Sequence, residues 1–272
     1  MLFRSERIVS STLKKLSGDG HILPFTDGTV EGLRSSMKEA GLDLSIVLPV
    51  ATSPGQVVKV NDKALRINEE ESDILSFGCI HPEFEDYAAE LRRLKEHGFR
   101  GIKIHPVYQE TDLDDVKFLR ILYEAASLDL AVITHGGLDI GFPGVVHCSP
   151  AMCRHVVEEI GIFSFIVAHM GGWNEWEDAL EELAGRGVYL DTAFSIGRAV
   201  PTEGSATPPM LDEEMFLKMV RGFGADHILF GSDSPWSSQK ESLETLRNMH
   251  LTEPELQAIE GENAARLLKL TR

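Results

Sequence analysis

The feature that most constrains the fold is a regular alternation of short apolar runs with amphipathic helical stretches. The apolar runs begin about every 30 residues, which is the length of one strand plus one helix. The stretches between them carry apolar residues at three- and four-residue steps and often end on glycine. Strict alternation of this kind predicts a parallel sheet covered by helices. The predicted strands are 45–50, 74–80, 101–104, 130–134, 163–168, 188–190 and 227–230.

Seven strand–helix repeats in 272 residues predict one domain over 1–272, folded as an α/β, TIM-like (β/α)8 barrel. An open, doubly wound sheet is the alternative for such a pattern. That fold usually carries a glycine-rich phosphate loop after its first strand, and the sequence contains neither GxGxxG nor GxxxxGK[ST]. We therefore expect a barrel, in which the carboxyl ends of all strands meet at one mouth.

Composition excludes several classes of partner. The chain has 26 basic and 43 acidic residues, and its net charge of -17 disfavours binding to nucleic acid. No apolar run is long enough to cross a membrane, and the first residues lack the apolar segment of a secretory signal. Three cysteines without a CxxC motif suit the reducing cytoplasm. These features predict a cytoplasmic protein without a membrane partner.

Polar residues stand where the predicted strands end. His135 and His169 each follow an apolar run and precede a pair of glycines, and Asp233 follows the last run. Two imidazoles and a carboxylate at one rim can bind zinc or a similar divalent ion while leaving a position open for water. Lys103 and His105 are two residues apart, so they share one face of a strand. A buried hydrogen-bonding network is the alternative explanation for such residues.

The segment 138–155 is irregular and rich in glycine and proline, which predicts a loop that lines a pocket and then a helix. His147 lies in this segment and is a candidate for contact with substrate. Lys103 and His105 are the other candidate substrate-binding residues, because a lysine at the rim can pair with a substrate carboxylate. The alternative for Lys103 is a structural ion pair.

Four motifs together resemble a known family. THGG (134–137), VAHMGGW (167–173), ILFGSDSPW (228–236) and IEGENAARLLKL (259–270) are similar to the amidohydrolase-related proteins of the metal-dependent hydrolase superfamily. This amidohydrolase 2 branch includes aromatic-acid decarboxylases, and the resemblance runs from about residue 26 to the C-terminus. It implies a divalent metal ion, zinc or else manganese.

The resemblance also implies roles for single residues. His135 and Asp233 would be metal ligands, and Asp233 would also be the proton-transfer group in catalysis. His169 would be either a third metal ligand or a catalytic residue beside the metal that polarises the reacting atom. Family members carry HxH or ExH on their first strand, and this chain shows neither motif near its start. We therefore expect a barrel that is incomplete or open at the first strand, with 45–50 and 227–230 beside an empty position.

Three functions remain open at this point. Metal-activated water with Asp233 as proton acceptor predicts a hydrolase of a small organic substrate. The same site with a carboxylic acid as substrate predicts a carboxy-lyase. A barrel without a working metal site would be a non-catalytic binding protein. A TatD-like nuclease is disfavoured by the negative charge, and an unpaired strand edge would favour a homo-oligomer.

Overall fold

The structure, a computed structural model, describes residues 6–270. The strands in this range are β1 (Ile22–Leu23), β2 (Ser45–Val47), β3 (Ile74–Ser76), β4 (Gly78–Cys79), β5 (Gly101–Ile104), β6 (Ala131–Thr134), β7 (Phe165–Val167), β8 (Tyr189–Asp191), β9 (Val200–Pro201) and β10 (Ile228–Leu229). The helices are α1 (Glu6–Gly20), α2 (Val30–Ala40), α3 (Val57–Glu70), α4 (Tyr87–Glu96), α5 (Val116–Ser127), α6 (Pro150–Ile160), α7 (Trp176–Leu183), α8 (Glu213–Phe223), α9 (Gln239–Arg247), α10 (Glu253–Gln257) and α11 (Asn263–Leu267), with a π-helical turn at Ala258–Glu262.

Parallel strands form the barrel wall in the order of the chain. Six strands pair in the order β4, β5, β6, β7, β8 and β10, and β2 pairs in parallel with β3. Only Phe77 separates β3 from β4, and its N–H donates to Val47 O at 2.9 Å. β3 and β4 are therefore one interrupted strand, and the wall has the seven strand positions that the apolar runs predict.

The barrel is open between β2 and β10. Within residues 6–270, β2 pairs only with β3 and β10 pairs only with β8, so no strand occupies the position between them. The prediction of a TIM-like barrel open at its first strand is confirmed.

The strands bury both of their faces. In β6, Val132 packs towards the helices, while Ala131 and Ile133 belong to a separate cluster inside the barrel with Ile166 and Leu229. This alternation follows from the two-residue period of a strand. It explains why the strand sequences are continuous apolar runs rather than alternating ones.

One short strand pair is separate from the parallel strands: Ile22 and Leu23 form β1, which pairs antiparallel with β9. This pair lies outside the barrel wall and does not fill the open position. The chain enters the described range in α1, and residues 1–5 lie outside that range. No helix in the described range is long and apolar enough to span a membrane.

Candidate active site and metal centre

Most of the predicted site residues meet at one cavity. Lys103, His105, His135, His169 and Asp233 line a cavity of about 2100 Å³. They converge because each stands at or just beyond the carboxyl end of a parallel strand. His147 is not among the lining residues, and its Nδ1 lies 2.6 Å from Asp112 Oδ1.

The two His-glycine motifs pack against each other. Gly137 has φ 75°, and a Cβ there would lie 2.6 Å from Gly172 C and from Trp173 N. A Cβ on Gly136 would lie 2.7 Å from Ala168 O. Side chains would therefore separate the turns that follow β6 and β7. The paired glycines let the two turns touch, which brings His135 and His169 together.

Asp191 holds His169 in place. His169 has φ 61°, a left-handed conformation that costs free energy in a non-glycine residue. Its N–H donates to Asp191 Oδ1 at 2.8 Å, and Ala193 N–H donates to the same oxygen at 3.2 Å. Burial raises the pKa of Asp191 to about 6. Asp191 thus fixes the turn from which the His169 ring enters the cavity.

His135 and His169 are in direct contact. His169 Nε2 lies 3.1 Å from His135 Nδ1, His169 Nδ1 lies 2.8 Å from Ala193 O, and His135 Nε2 lies 3.1 Å from Leu138 O. Burial, and secondarily the charge of Lys103, lower the pKa of His169 to about 4. Burial and the neighbouring His105 hold the pKa of His135 well below its usual value. Both rings are therefore neutral near pH 7, the form that binds metal ions.

Asp139 is a site residue that the strand pattern does not reveal. It is buried, its Oδ1 accepts from Gly141 N–H at 2.8 Å, and its Oδ2 lies 3.5 Å from His105 Nε2. The His105 ring stacks between Tyr108 and His135, with centroid distances of 3.8 and 4.4 Å. The only sequence signal for Asp139 is an Asp-x-Gly turn inside the irregular loop.

Lys103 reaches the cavity without a hydrogen-bond or ion-pair partner in the described part of the chain. It is buried, and it forms no hydrogen bond or ion pair with the residues that the structure describes. Burial lowers the pKa of Lys103, while the charges of Asp191 and Asp233 oppose that change. Asp233 has φ 55° and is exposed to the cavity. Protein atoms around its carboxyl group displace water, and this desolvation raises its pKa. An amine and a carboxyl group thus face the same space.

The donors present suit a divalent ion. Atoms that bind a tetrahedral ion at about 2.0–2.2 Å lie about 3.3–3.6 Å apart. Asp139 Oδ2 lies 3.5 Å from His105 Nε2 and 4.0 Å from His135 Nε2. In the described range, these residues form the one group of three His, Cys, Asp or Glu donors whose atoms all lie within 4.8 Å of one another. Two imidazoles and a carboxylate are a chemically suitable set for zinc.

Comparisons with known proteins agree with the fold. The family model described as amidohydrolase matches residues 60–270. No curated protein matches this chain. The solved 2,6-dihydroxybenzoate decarboxylase from Rhizobium is 15% identical, with a TM-score of 0.69 over 98% of this chain and 96% of that one. An uncharacterized TIM-barrel protein from Bordetella bronchiseptica is 16% identical, with a TM-score of 0.69 over 97% and 90%.

A third structure was solved with a metal. The dihydroxybenzoic acid decarboxylase from a Polaromonas species, with bound manganese and the inhibitor 2-nitroresorcinol, is 16% identical. Its TM-score is 0.64 over 90% of this chain and 86% of that one. At these identities the likeness shows a shared TIM-barrel fold.

Proposed function

The chain belongs to the amidohydrolase family, and on that premise we propose that it is a metal-dependent hydrolase of a small organic substrate. One observation carries the proposal: neutral imidazoles, carboxyl groups and a buried lysine that has no hydrogen-bond or ion-pair partner within residues 6–270 converge on one cavity. We also propose that residues 1–272 form one domain around this site. The free, buried cysteines support a cytoplasmic location.

His135 is the residue on which the metal site depends. The family resemblance assigns the ion to His135, His169 and Asp233, whereas the compact group of donors is His105, His135 and Asp139. Both sets contain His135. Zinc suits either set of nitrogen and oxygen donors, and manganese is the alternative because a structural neighbour binds it. When bound, the ion supplies a positive charge that acidifies water and stabilises negative charge developing on oxygen.

The other residues would bind the substrate and move protons. Asp233 faces the cavity with a raised pKa, which suits a carboxylate that accepts a proton from water and returns it to the leaving group. His169 is held by Asp191 and polarises the reacting group. Lys103 and His105 line the same space and would contact the substrate. His147 pairs with Asp112 away from this lining, so its proposed contact with substrate has the weakest geometric support.

A carboxy-lyase is the second candidate because of Lys103. An amine that has no carboxylate partner in the described chain is ready to pair with a substrate carboxylate. In that reaction Asp233 would hold a proton and deliver it to the carbon from which carbon dioxide leaves. The structural neighbours named as decarboxylases support the same alternative.

Metal analysis combined with activity assays tests the proposal. The purified chain should bind zinc or manganese, and it should hydrolyse or decarboxylate members of a panel of small amides, lactones and aromatic acids. His135→Ala should abolish metal binding and lower kcat/KM by at least about 100-fold, because metal ions supply several kcal/mol of stabilisation to the transition state. His97→Ala, at an exposed position, is the matched control. A chain that binds neither metal would support the non-catalytic alternative instead.

A further inference from the structure

Two of the three cysteine thiols are in contact with each other. Cys148 Sγ lies 3.7 Å from Cys153 Sγ, and both side chains are fully buried. Cys79 is equally buried in β4, and it has no contact with another cysteine within residues 6–270. All three thiols are free, and the proposed function uses none of them. Cys148 and Cys153 therefore form a thiol pair, and Cys79 is a reference thiol without such a neighbour.

The start of α6 explains why the two sulfurs meet. Ser149 is the N-cap of this helix, and its side chain accepts from Met152 N–H at 3.3 Å. Cys148 is the residue before the cap, and Cys153 is the fourth residue of the helix. Side chains at these two positions often pack together and fix the direction in which the chain enters the helix. Apolar residues usually serve this purpose, whereas here both side chains are thiols.

Cys148 also closes the base of the loop that lines the cavity. Its carbonyl oxygen accepts from Gly137 N–H at 2.8 Å, and its Sγ lies 3.5 Å from Thr134 Oγ1 at the end of β6. Residues 138–147 therefore leave and return at neighbouring points. Phe142 in this loop lines the cavity and is 41% exposed. Exposed loops open locally more readily than the strands of a sheet, and opening of this loop uncovers Cys148 before Cys79.

We infer that Cys148 and Cys153 form a reversible redox pair that a hydroperoxide converts to a disulfide. The sulfurs have to approach each other from 3.7 Å to the about 2.0 Å of a disulfide bond. The helix cap already holds them side by side, so the required movement is local. This modification site goes beyond the proposed function and depends on neither metal nor substrate.

The oxidation takes place in two steps. Burial raises the pKa of Cys153, which keeps this sulfur protonated near pH 7, so the first step belongs to Cys148. The thiolate of Cys148 attacks a peroxide oxygen, an S–O bond forms, the O–O bond breaks, and the departing hydroxide takes up the thiol proton as water. The sulfur of Cys153 then attacks the sulfenic sulfur, which forms the S–S bond and releases a second water. The pair loses two electrons and two protons, and the peroxide is reduced to water.

The disulfide ties the base of the cavity loop to α6. Because it closes a ring of only the residues 148–153, it should raise the unfolding temperature by about 2–6 °C. The amide of Gly137, which donates to Cys148 O, should exchange its hydrogen more slowly in the oxidised protein. Small thiols would reverse both effects. A pair of this kind suits a reducing compartment, where disulfides are transient and respond to oxidants.

Thiol mapping of the wild-type protein tests the pair. The reduced protein is treated with hydrogen peroxide, the peroxide is removed with catalase, and the protein is denatured in N-ethylmaleimide and digested with trypsin. Residues 121–154 form one tryptic peptide that contains both Cys148 and Cys153. We expect this peptide to be unalkylated and lighter by two hydrogen atoms, while Cys79 is still alkylated. Dithiothreitol added before the alkylation should restore two alkylated thiols in the peptide.

Two variants make the test sharper. Cys79→Ser is the matched control and should form the disulfide at the wild-type rate. Cys153→Ser removes the second thiol, so Cys148 should accumulate as a sulfenic acid that dimedone labels. The mapping of the wild type needs neither variant, so it remains decisive if one of them misfolds.

Several results would overturn the redox pair. They are oxidation of Cys79 as fast as that of the pair, sulfinic or sulfonic acids in place of the disulfide, and a disulfide that forms only in urea. A peptide that stays fully alkylated after prolonged treatment with peroxide that oxidises free glutathione completely would also overturn it. No readout uses metal or substrate. Failure of the redox pair therefore leaves the proposed function intact, and failure of the proposed function leaves the pair intact.

Discussion

Asp191 organises the site through the backbone groups that it binds. Its Oδ1 accepts two buried backbone N–H groups, from His169 and Ala193, and the first of these residues has a left-handed backbone. The carboxylate therefore offsets the cost of a conformation that points the His169 ring into the cavity. Asp191 is a positioning residue for the reaction proposed here.

Asp191→Ala should lower the free energy of unfolding by about 1–3 kcal/mol, because it leaves buried N–H groups without an acceptor. Urea titration followed by circular dichroism measures this change. Asp191→Asn keeps one acceptor oxygen and should lose less. An alanine variant as stable as the wild type would mean that these two N–H groups find other partners.

The sequence locates site residues on strands better than those in loops. The place of Lys103 and His135 at the cavity could be predicted because a parallel strand has a regular period and its carboxyl end has a known place in the barrel. Asp139 follows β6 by five residues, in a loop where no period indicates the direction of a side chain. Only the folded loop shows that its carboxylate faces His105.

At the scale of elements, the C-terminal segment protects an exposed strand edge. Phe230 N–H donates to Ile259 O at 2.9 Å, and Asn263 Nδ2 donates to Ile228 O at 2.8 Å. These bonds use polar groups at the outer edge of β10 that would otherwise be free to pair with another chain. The segment that carries them begins at α10, so the start of this helix matters for the barrel edge.

The contacts of Glu255 at the N-terminus of α10 should make the free energy of unfolding depend on pH. Glu255 Oε2 accepts from the N–H and hydroxyl of Thr252 at 2.8 and 2.7 Å, and Glu255 also pairs with Arg221. These contacts lower the pKa of Glu255 to about 2, below its ordinary value of 4.5. A carboxylate with a depressed folded-state pKa stabilises the protein above its unfolded pKa, and this effect disappears as the pH falls towards 2.

Glu255→Gln should therefore be less stable than the wild type at pH 6, by about 0.3–1 kcal/mol, because glutamine can still accept from Thr252 N–H but loses the negative charge beside Arg221 and the helix N-terminus. The difference should shrink steadily as the pH falls from about 4.5 towards 2. Thermal unfolding of both proteins across this range measures it. Glu244→Gln, at an exposed position of α9, is the control. A difference that stays constant down to pH 2 would argue against a role for the carboxylate charge.

The strands themselves were predictable, whereas their contacts across long distances were not. The apolar runs identify all seven positions of the barrel wall because buried parallel strands need continuous apolar sequence. The pairing of β1 with β9, in which Leu23 lies opposite Val200, could not be predicted in this way. Each of these strands has only two residues, which is too short for the alternating pattern of a strand to be recognised in the sequence. This pairing depends on the folded barrel bringing the two segments together.

At the scale of the whole molecule, the open position in the wall enlarges the cavity. A volume of about 2100 Å³ exceeds the about 300–1,000 Å³ of ordinary ligand pockets. The reason is that the space continues from the site at the mouth into the gap beside β2, where Ile46, Leu48 and Leu268 line it. The candidate active site therefore occupies only the end of this space at the barrel mouth, and the gap beside β2 forms the rest of it.

Hydrogen exchange at single amides tests whether the gap is open in solution. Ser45 N–H donates to Asp73 O, and Val47 O accepts from Phe77 N–H. Ser45 and Val47 therefore direct their backbone groups towards β3. Because neighbouring residues of a strand direct their groups to opposite sides, the N–H groups of Ile46 and Leu48 face the gap. We expect these two amides to exchange much faster than that of Ile133 in the middle of the sheet.

The same experiment distinguishes an open edge from an interface. Slow exchange at Ile46 and Leu48 at every protein concentration would show that the edge is paired within the chain, which contradicts an open barrel. Slow exchange that appears only as concentration rises would show that the edge of β2 joins a second copy, as unpaired strand edges tend to do. Measuring oligomeric state by light scattering on the same samples identifies that case, because protection and mass should then increase together. Fast exchange with a constant monomer mass is the result that the separate edges of β2 and β10 predict.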